Sequence, residues 1–157
     1  MKLLILSVLG FLTILSAFPA AFATHSTPFN GSGSGTFTDT SLTTVLITGT
    51  GYYDHLGLTN LLFPSTITGR AACGGFTATE KDNYTGASGD SVYLTVHDTI
   101  CPTSTPGAFH LSGNFIVTGG TGRFVDASGS GTVSASVTFT SATSGTFAGT
   151  QSGTISY

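Results

Sequence analysis

The chain has 157 residues, a formal net charge of −3 and only 7% charged residues. It contains no cluster of lysine and arginine, which argues against a nucleic-acid partner and against binding to an anionic membrane surface. Hydrophobic residues make up 39% of the chain, which excludes a disordered protein, and glycine, serine and threonine replace charged residues as the polar complement. This composition is typical of an exported β protein.

The first 23 residues predict a cleaved, helical secretory signal peptide. Lys2 supplies the positive start, residues 3–18 the apolar run, and Ala21-Phe-Ala23 the small-residue cleavage site. The apolar run is shorter than the ~20 residues that a membrane-spanning helix needs. We therefore expect a secreted protein, extracellular or periplasmic, without stable membrane insertion after cleavage. Its mature part would have a flexible lead-in, residues 24–35, and one β domain, residues 36–157.

The mature chain begins with strand signals that are separated by turns. Residues 36–39 predict a short strand, and residues 43–53 predict a longer one because they are rich in β-branched and aromatic side chains. A turn is expected at residues 54–57. Residues 58–63 predict a strand or a covering loop that a proline ends, and residues 65–69 predict one more short strand.

A hairpin is predicted in the middle of the domain, where residues 72–82 and 91–100 flank the turn-forming residues 86–90. With the turn centred on this loop, Cys73 lies directly opposite Cys101. Directly opposed residues have the separation that a disulfide needs, and an exported chain favours disulfide formation. One face of the hairpin is apolar and the other polar, as in an antiparallel sheet with one wet side.

Two carboxylates, Glu80 and Asp98, fall on the apolar face of this hairpin. In the expected register Glu80 faces Leu94, four residues from Asp98, which corresponds to roughly 13 Å. Acid pairs of glycosidases are about 5–9.5 Å apart, so the sequence argues against such a pair. Two interpretations stay open. Each carboxylate lies near a barrel mouth, where it is solvated or hydrogen-bonded, or one of them is a cavity acid with a raised pKa that orients or protonates a ligand. Both residues are therefore candidate catalytic and ligand-binding groups.

Residues 108–118 predict a strand, and the last hairpin pairs residues 131–140 with 146–157. The expected register places Phe139 opposite Phe147, and Ala135 opposite Gln151. In this register Val137 and Val133 would face glycines, which favours strong curvature. Gln151 then points inward, either as a hydrogen-bonding group for a ligand or as a buried amide that the backbone satisfies.

About eight strands are predicted, and no helical period appears in the mature chain. A closed antiparallel barrel of eight strands is the expected fold because closure removes free sheet edges. A β-sandwich is the alternative. The spacing of His55, His97 and His110 does not match a metal site, so no metal and no cofactor are expected. The sequence makes no prediction of oligomeric state.

A glycine-rich corner, Gly119-Gly-Thr-Gly-Arg-Phe124, follows the strand at residues 108–118. It differs from a dinucleotide-binding turn because Val125 occupies the position of the third fingerprint glycine and no helix follows. The expected role is structural, with Gly119, Gly120 and Gly122 shaping the corner and Arg123 holding it down. The alternative is that Arg123 is a basic group at a cavity mouth.

The segment Val117-Thr-Gly-Gly-Thr-Gly-Arg-Phe-Val-Asp-Ala-Ser-Gly-Ser-Gly-Thr-Val133 resembles the signature of the allene oxide cyclase/dirigent superfamily, particularly its small secreted bacterial barrel proteins. His55-Leu-Gly57 is similar to an early motif of the same bacterial proteins. The resemblance implies an eight-stranded antiparallel barrel around a mostly apolar cavity. Plant members cyclise an unstable lipid epoxide or steer the coupling of phenoxy radicals without a cofactor. No catalytic residue of theirs matches a position here.

Three functions are therefore expected, in this order. The first is a secreted, cofactor-free barrel that binds a small apolar molecule. The second is an isomerase or cyclase of the allene oxide cyclase type that uses Glu80 or Asp98 as its polar cavity group. The third is a structural or surface-interaction module that uses its exterior of serine and threonine.

Overall fold

The computed structural model describes residues 25–157, so the expected signal peptide, residues 1–23, lies outside the described residues. Within them the chain forms nine strands and one short 3-10 turn at Gly122–Phe124. The strands are β1 Thr27–Pro28, β2 Gly31–Asp39, β3 Thr44–Tyr53, β4 Gly57–Arg70, β5 Phe76–Gly86, β6 Ser91–Pro102, β7 Ala108–Gly120, β8 Ser128–Phe139 and β9 Ser144–Ser156. The described part contains no helix long and apolar enough to cross a membrane.

Strands β2 to β9 form a closed antiparallel barrel of eight strands. Each strand pairs with the next along the chain, and β9 pairs back with β2 to complete the circle. The short β1 adds to β9 as an extra strand. The predicted barrel is confirmed, and the alternative sandwich is not the architecture.

Alternation of side chains along each strand separates the interior from the surface. In β6, for example, Val92, Leu94 and Val96 are buried, whereas Tyr93 and His97 face outward. Successive residues of a strand point to opposite faces of the sheet. Because the sheet is closed, one face of every strand contributes to a single core and the other faces solvent.

Two segments in the first half of the domain differ from the sequence prediction. The lead-in is shorter than expected, since β2 begins at Gly31 and residues 31–35 pair with both β3 and β9. The two segments expected around the proline form one continuous strand, β4. Pro64 lies on its outer face, and the pairing with β5 passes from Leu61–Tyr84 directly to Ser65–Glu80. The missing N–H of proline is tolerated where this pairing is interrupted.

The β5–β6 hairpin has a register two residues away from the predicted one. Glu80 pairs with Val96 rather than with Leu94. The difference arises in the turn, where the N–H of Gly89 donates to the carbonyl of Gly86 and Gly89 adopts a positive φ of 88°. A shift of two residues leaves every side chain on its predicted face because side chains alternate with a period of two.

The β8–β9 hairpin also differs from its predicted register by two residues. The observed pairs are Phe139–Gly145, Val137–Phe147, Ala135–Gly149 and Val133–Gln151. The turn is tighter than expected because the N–H of Thr140 donates to the carbonyl of Ser144, and the Ser141 hydroxyl hydrogen-bonds the Ser144 hydroxyl at 2.7 Å. Gln151 consequently faces Val133 instead of Ala135, and it still points inward.

The predicted pairing of Val137 and Val133 with glycines is wrong, and other glycines of the last hairpin leave room for an aromatic ring on the inner face. Gly131 and Gly153 are paired across β8 and β9. A Cβ atom on them would lie 2.5 Å and 2.7 Å, respectively, from the Phe115 ring. Bare backbone at this position therefore lets the ring fill the narrow interior.

The two ends of the barrel are different. The base is filled by fully buried Phe29, Phe124 and Ile155, which belong to one hydrophobic cluster. The opposite end carries the loops at residues 40–43, 71–75, 103–107 and 140–143. The interior is therefore a cup with a sealed base.

The predicted disulfide is confirmed and lies at the open end. Cys73 and Cys101 are bonded, with their Cα atoms 5.7 Å apart. Cys73 lies in the loop before β5 rather than within a strand, since β5 begins at Phe76. The bond therefore ties this loop to the end of β6.

Removal of the disulfide should lower stability. The bond spans 28 residues, so the loop-entropy model predicts a loss of about 3–4 kcal/mol in the free energy of unfolding for Cys73→Ser/Cys101→Ser. Denaturant titration measures this loss. A reductant should destabilise the wild-type protein to the same extent and leave the double variant unchanged, and equal stability of all four samples would contradict the prediction.

Candidate functional site

The barrel encloses a cavity of about 410 Å³ that opens between the loops at the upper end. This volume is within the range of small-molecule sites, about 300–1,000 Å³. The lining is mainly aliphatic and aromatic and includes Phe37, Val45, Ile67, Phe109, Leu111 and Phe147. The cavity therefore offers an apolar environment to a guest molecule.

An aromatic group stands at the mouth of the cavity. The Phe139 ring centre lies 4.9 Å from that of Phe37 and 5.5 Å from that of Phe109, both in edge-to-face arrangements. Leu42 lines the same opening and is fully exposed to solvent. A molecule entering the cavity would therefore pass a rim that is mainly apolar and also includes Asp39.

Three carboxylic acids descend one wall of this cavity. Asp98 on β6 and Glu80 and Asp82 on β5 are each at most 7% exposed and line the cavity; we call them the acid column. Since Glu80 pairs with Val96, Asp98 is its diagonal neighbour, at about 7–8 Å between backbone positions. The expected separation of roughly 13 Å is wrong, and the distance no longer argues against joint action of these two acids.

Asp82 was not singled out in the sequence, although a signal for it existed. It has the same parity as Glu80, and β5 extends beyond it to Gly86, so its side chain lies on the inner face. The sequence prediction ended this strand at Asp82 itself. The alternation of a strand does not define where its last residue points, so the sequence did not indicate that the Asp82 side chain faces the barrel interior.

Neighbouring strands make room for the acid column. Ser65 pairs with Glu80 across β4 and β5. Gly113 pairs with Asp98 across β6 and β7, and a Cβ atom at this glycine would lie 2.0 Å from Asp98 Oδ1. A larger residue at this position would therefore displace the carboxylate.

Several polar atoms in the cavity have no hydrogen-bond partner among residues 25–157. They are both carboxylate oxygens of Asp98, Oδ1 of Asp82, and both amide atoms of Gln151. Gln151 is 5% exposed and belongs to β9, four strands from β5 around the barrel. The interpretation in which the backbone satisfies this amide is wrong. Buried polar groups normally have partners, so these atoms are available to a ligand.

Burial raises the pKa of all three carboxyls of the acid column, which makes them weaker acids than usual. Desolvation raises the pKa of Asp82 to about 8, with the charge of Asp98 adding to the rise and a hydrogen bond from Tyr84 opposing it. Desolvation likewise raises the pKa of Asp98 to about 7. The pKa of Glu80 lies well above its usual range because of burial and, next, repulsion from Asp82 and Asp98. The acids are therefore largely protonated at mildly acidic pH.

Within residues 25–157, no basic side chain offsets these acids, because none of the residues that line the cavity is a lysine, arginine or histidine. Lys81 and His97 lie on the same two strands but point outward. Among the described residues, an ion pair joins Arg123 to Asp90 at the closed base, with 3.9 Å between Nε and Oδ2.

The histidines of the predicted domain lie outside the cavity. His55 occupies a turn with a φ of 67°, and its Nε2 lies 2.8 Å from the carbonyl oxygen of Pro28. The ring of His97 contacts the Thr79 hydroxyl on the outer face, and His110 is exposed. Within residues 25–157, no group of three or more His, Cys, Asp or Glu is placed to hold a metal ion.

The glycine corner closes the base of the barrel. Gly119 and Gly122 have positive φ angles, and a Cβ atom at Gly120 would lie 2.1 Å from the carbonyl oxygen of Ser91. Arg123 donates a hydrogen bond to the carbonyl of His55 and lies over the rings of Phe124 and Tyr157, at 4.8 Å and 5.7 Å. Arg123 is thus not a basic group at the cavity mouth.

Comparison of the chain with protein-family models, curated proteins and solved structures gives no match. The resemblance of residues 117–133 to the allene oxide cyclase/dirigent superfamily stays a prediction from that motif.

The acid column should make stability fall as pH rises. Between the usual pKa of an aspartate and the raised values of about 7 and 8, the folded chain retains protons that the unfolded chain has lost. The free energy of unfolding therefore decreases over this interval. We expect Tm to fall by at least about 5 °C between roughly pH 5 and pH 8.

The variants Asp82→Asn and Asp98→Asn should flatten this decline in calorimetric melts, since each removes one titrating group. Asp126→Asn, which changes an exposed carboxylate outside the cavity, is the matched control and should retain the wild-type slope. A decline of wild-type steepness in both cavity variants would show that other groups cause it.

Proposed function

We propose that this chain is an exported, cofactor-free barrel protein that binds a small, mostly apolar molecule inside its lumen. The disulfide is compatible with an oxidising compartment outside the cytosol. A closed barrel of eight strands is wide enough to hold one small ligand.

The observation that carries this proposal is the combination of an open apolar cavity with polar atoms that lack partners inside it. The cavity has one sealed end and an apolar rim, and its wall contains the acid column and Gln151. An interior built only for stability would be packed with side chains, because empty space forfeits dispersion contacts. Unpaired buried amide and carboxyl groups also lower stability. Both costs are offset when a ligand fills the space and hydrogen-bonds these groups.

A substitution that fills the cavity should weaken ligand uptake without unfolding the barrel. Val137 lines the cavity, whereas Ser136, its neighbour on β8, faces solvent. We expect Val137→Phe to weaken the binding of the neutral apolar dye Nile red at least about tenfold, since the new ring would occupy ligand space. Dye fluorescence measures the affinity.

Ser136→Phe is the control, because it adds the same ring to the outer face of the same strand. It should bind the dye as the wild-type protein does. Circular dichroism and Tm verify that both variants are folded. Absence of dye binding by the wild-type protein, or equal binding by both variants, would contradict a ligand in the lumen.

A second candidate function is an isomerase or cyclase of the allene oxide cyclase type. The observation that favours it is the set of buried acids that hold their protons near neutral pH within an apolar cavity. Such an acid can protonate or hydrogen-bond an oxygen of an unstable substrate without a cofactor. The third candidate, a surface-interaction module, is supported by the serine and threonine side chains on the outer faces of β8 and β9.

If this second function is correct, Glu80→Gln and Asp98→Asn should lower the rate of cyclisation of a lipid allene oxide by about 10²-fold or more, because each amide lacks the transferable proton. Chiral chromatography of the product separates enzymatic turnover from spontaneous cyclisation. Asp126→Asn should leave the rate unchanged. Wild-type rates in both cavity variants would exclude these two acids as participants.

A further inference from the structure

We propose that the ligand is a protonated amine with an apolar body, whose ammonium group is held by the acid column. This inference rests on the proposed function and names the chemical class of the molecule that fills the lumen. Three observations support it: the cup-shaped cavity, the grouping of three carboxyls on one wall, and the carboxyl oxygen atoms that lack hydrogen-bond partners.

The cavity supplies negative charge and no positive charge. The groups that can be charged and face the lumen are Asp98 on β6, Glu80, Asp82 and Tyr84 on β5, Tyr53 on β3 and Asp39 on β2 near the mouth. All of them are acids. Strand β4 contributes the uncharged Ser65, and β7 presents Gly113 to Asp98. An ionised buried carboxylate is normally paired with a cation. No residue that lines the cavity supplies one, so in this proposal the ligand brings it.

The unpaired atoms match the hydrogen-bonding capacity of an ammonium group. An ionised carboxylate only accepts hydrogen bonds, and an alkylammonium offers three N–H donors. Three unpartnered carboxylate oxygens belong to Asp98 and Asp82. Hydrogen bonds between charged groups are roughly twice as strong as neutral ones. A ligand carboxylate, in contrast, would be repelled by any ionised member of the acid column.

The apolar surroundings define the rest of the ligand. Between the rim and the acid column the wall is formed by aliphatic and aromatic side chains, including Phe109, Leu111 and Val137. A polyamine or a sugar amine would leave polar groups unpaired against this wall, at a cost in free energy. The fitting molecule has one cationic end and a hydrocarbon or aromatic body.

Binding of such a cation is coupled to proton release. In the empty cavity the carboxyls hold their protons at mildly acidic pH because charge is costly there. When the ammonium enters, one carboxyl loses its proton to solvent and becomes the counter-ion of the ligand. One proton is released for each cation bound: the O–H bond of one carboxyl breaks, water or buffer takes up the proton, and no bond within the ligand changes.

Isothermal titration calorimetry with octylamine, octanol and octanoate tests the inference, since the three probes share one chain and differ in the head group. At roughly pH 6, where octylamine is a cation, we expect it to bind at least about tenfold more tightly than octanol. Octanoate should bind most weakly. Titration in two buffers with different heats of ionisation should reveal about one proton released per octylamine, and a smaller number at roughly pH 9.

Variants of the acid column separate charge from cavity shape. Glu80→Gln, Asp82→Asn and Asp98→Asn keep the size of each side chain and remove its charge. The variant that lacks the ligand's counter-ion should bind octylamine at least about fivefold more weakly and release fewer protons. Its affinity for octanol should stay within about twofold of wild type, which shows that the cavity is intact. Asp126→Asn, outside the cavity, should behave as wild type.

Three results would overturn the inference. Octanol or octanoate could bind as tightly as octylamine, or the preference for octylamine could persist in all three cavity variants. In both cases the lumen binds apolar molecules, so the proposed function stands while the amine class is wrong. If neither these probes nor Nile red bind to the folded protein, the proposed function itself fails and the amine inference fails with it.

Discussion

The pairing of β9 with β2 is the constraint on which the rest of the structure depends. It closes the sheet, so that each strand has one face toward a common interior and one toward solvent. Without closure, the inner faces of β5 and β6 would meet water, and the pKa of Asp82 and Asp98 would stay near the usual values of aspartate. The glycines of β8 and β9 support closure, because their bare backbone permits curvature and leaves room for the Phe115 ring.

Closure also produces the chemical character of the lumen. A carboxyl that the alternation places inside is largely removed from bulk water, so the neutral acid is favoured over the carboxylate. The barrel holds several such groups on adjacent strands and supplies no basic partner among the residues that line the cavity. This arrangement lowers the stability of the empty protein near neutral pH. This loss of stability is consistent with the proposed function, in which a ligand supplies the missing hydrogen bonds.

The two ends of the barrel differ in structure: the base is closed and the mouth is open. At the base, Phe29, Phe124 and the glycine corner form a packed seal, and Arg123 connects this corner to the turn at His55. At the mouth, the disulfide fixes one loop and an aromatic group surrounds the opening. A closed barrel with a sealed base would keep the cavity formed without a ligand, which would reduce the cost of ordering in the proposed binding.

The sequence by itself determined the class of fold and the inward face of Glu80, Asp98 and Gln151, because these properties follow from local alternation of side chains. It also determined the disulfide partners, because the chain contains two cysteines, although Cys73 lies in a loop and not opposite Cys101 in the β5–β6 ladder. It did not determine hairpin register, because a shift of two residues leaves the same side chains inside and differs only in turn hydrogen bonds. Only the tertiary structure brought Glu80 near Asp98, placed Asp82 beside them and left Gln151 without a backbone partner. The physical reason is that distances, desolvation and unmet hydrogen bonds arise between strands that are remote in sequence, once the barrel is closed.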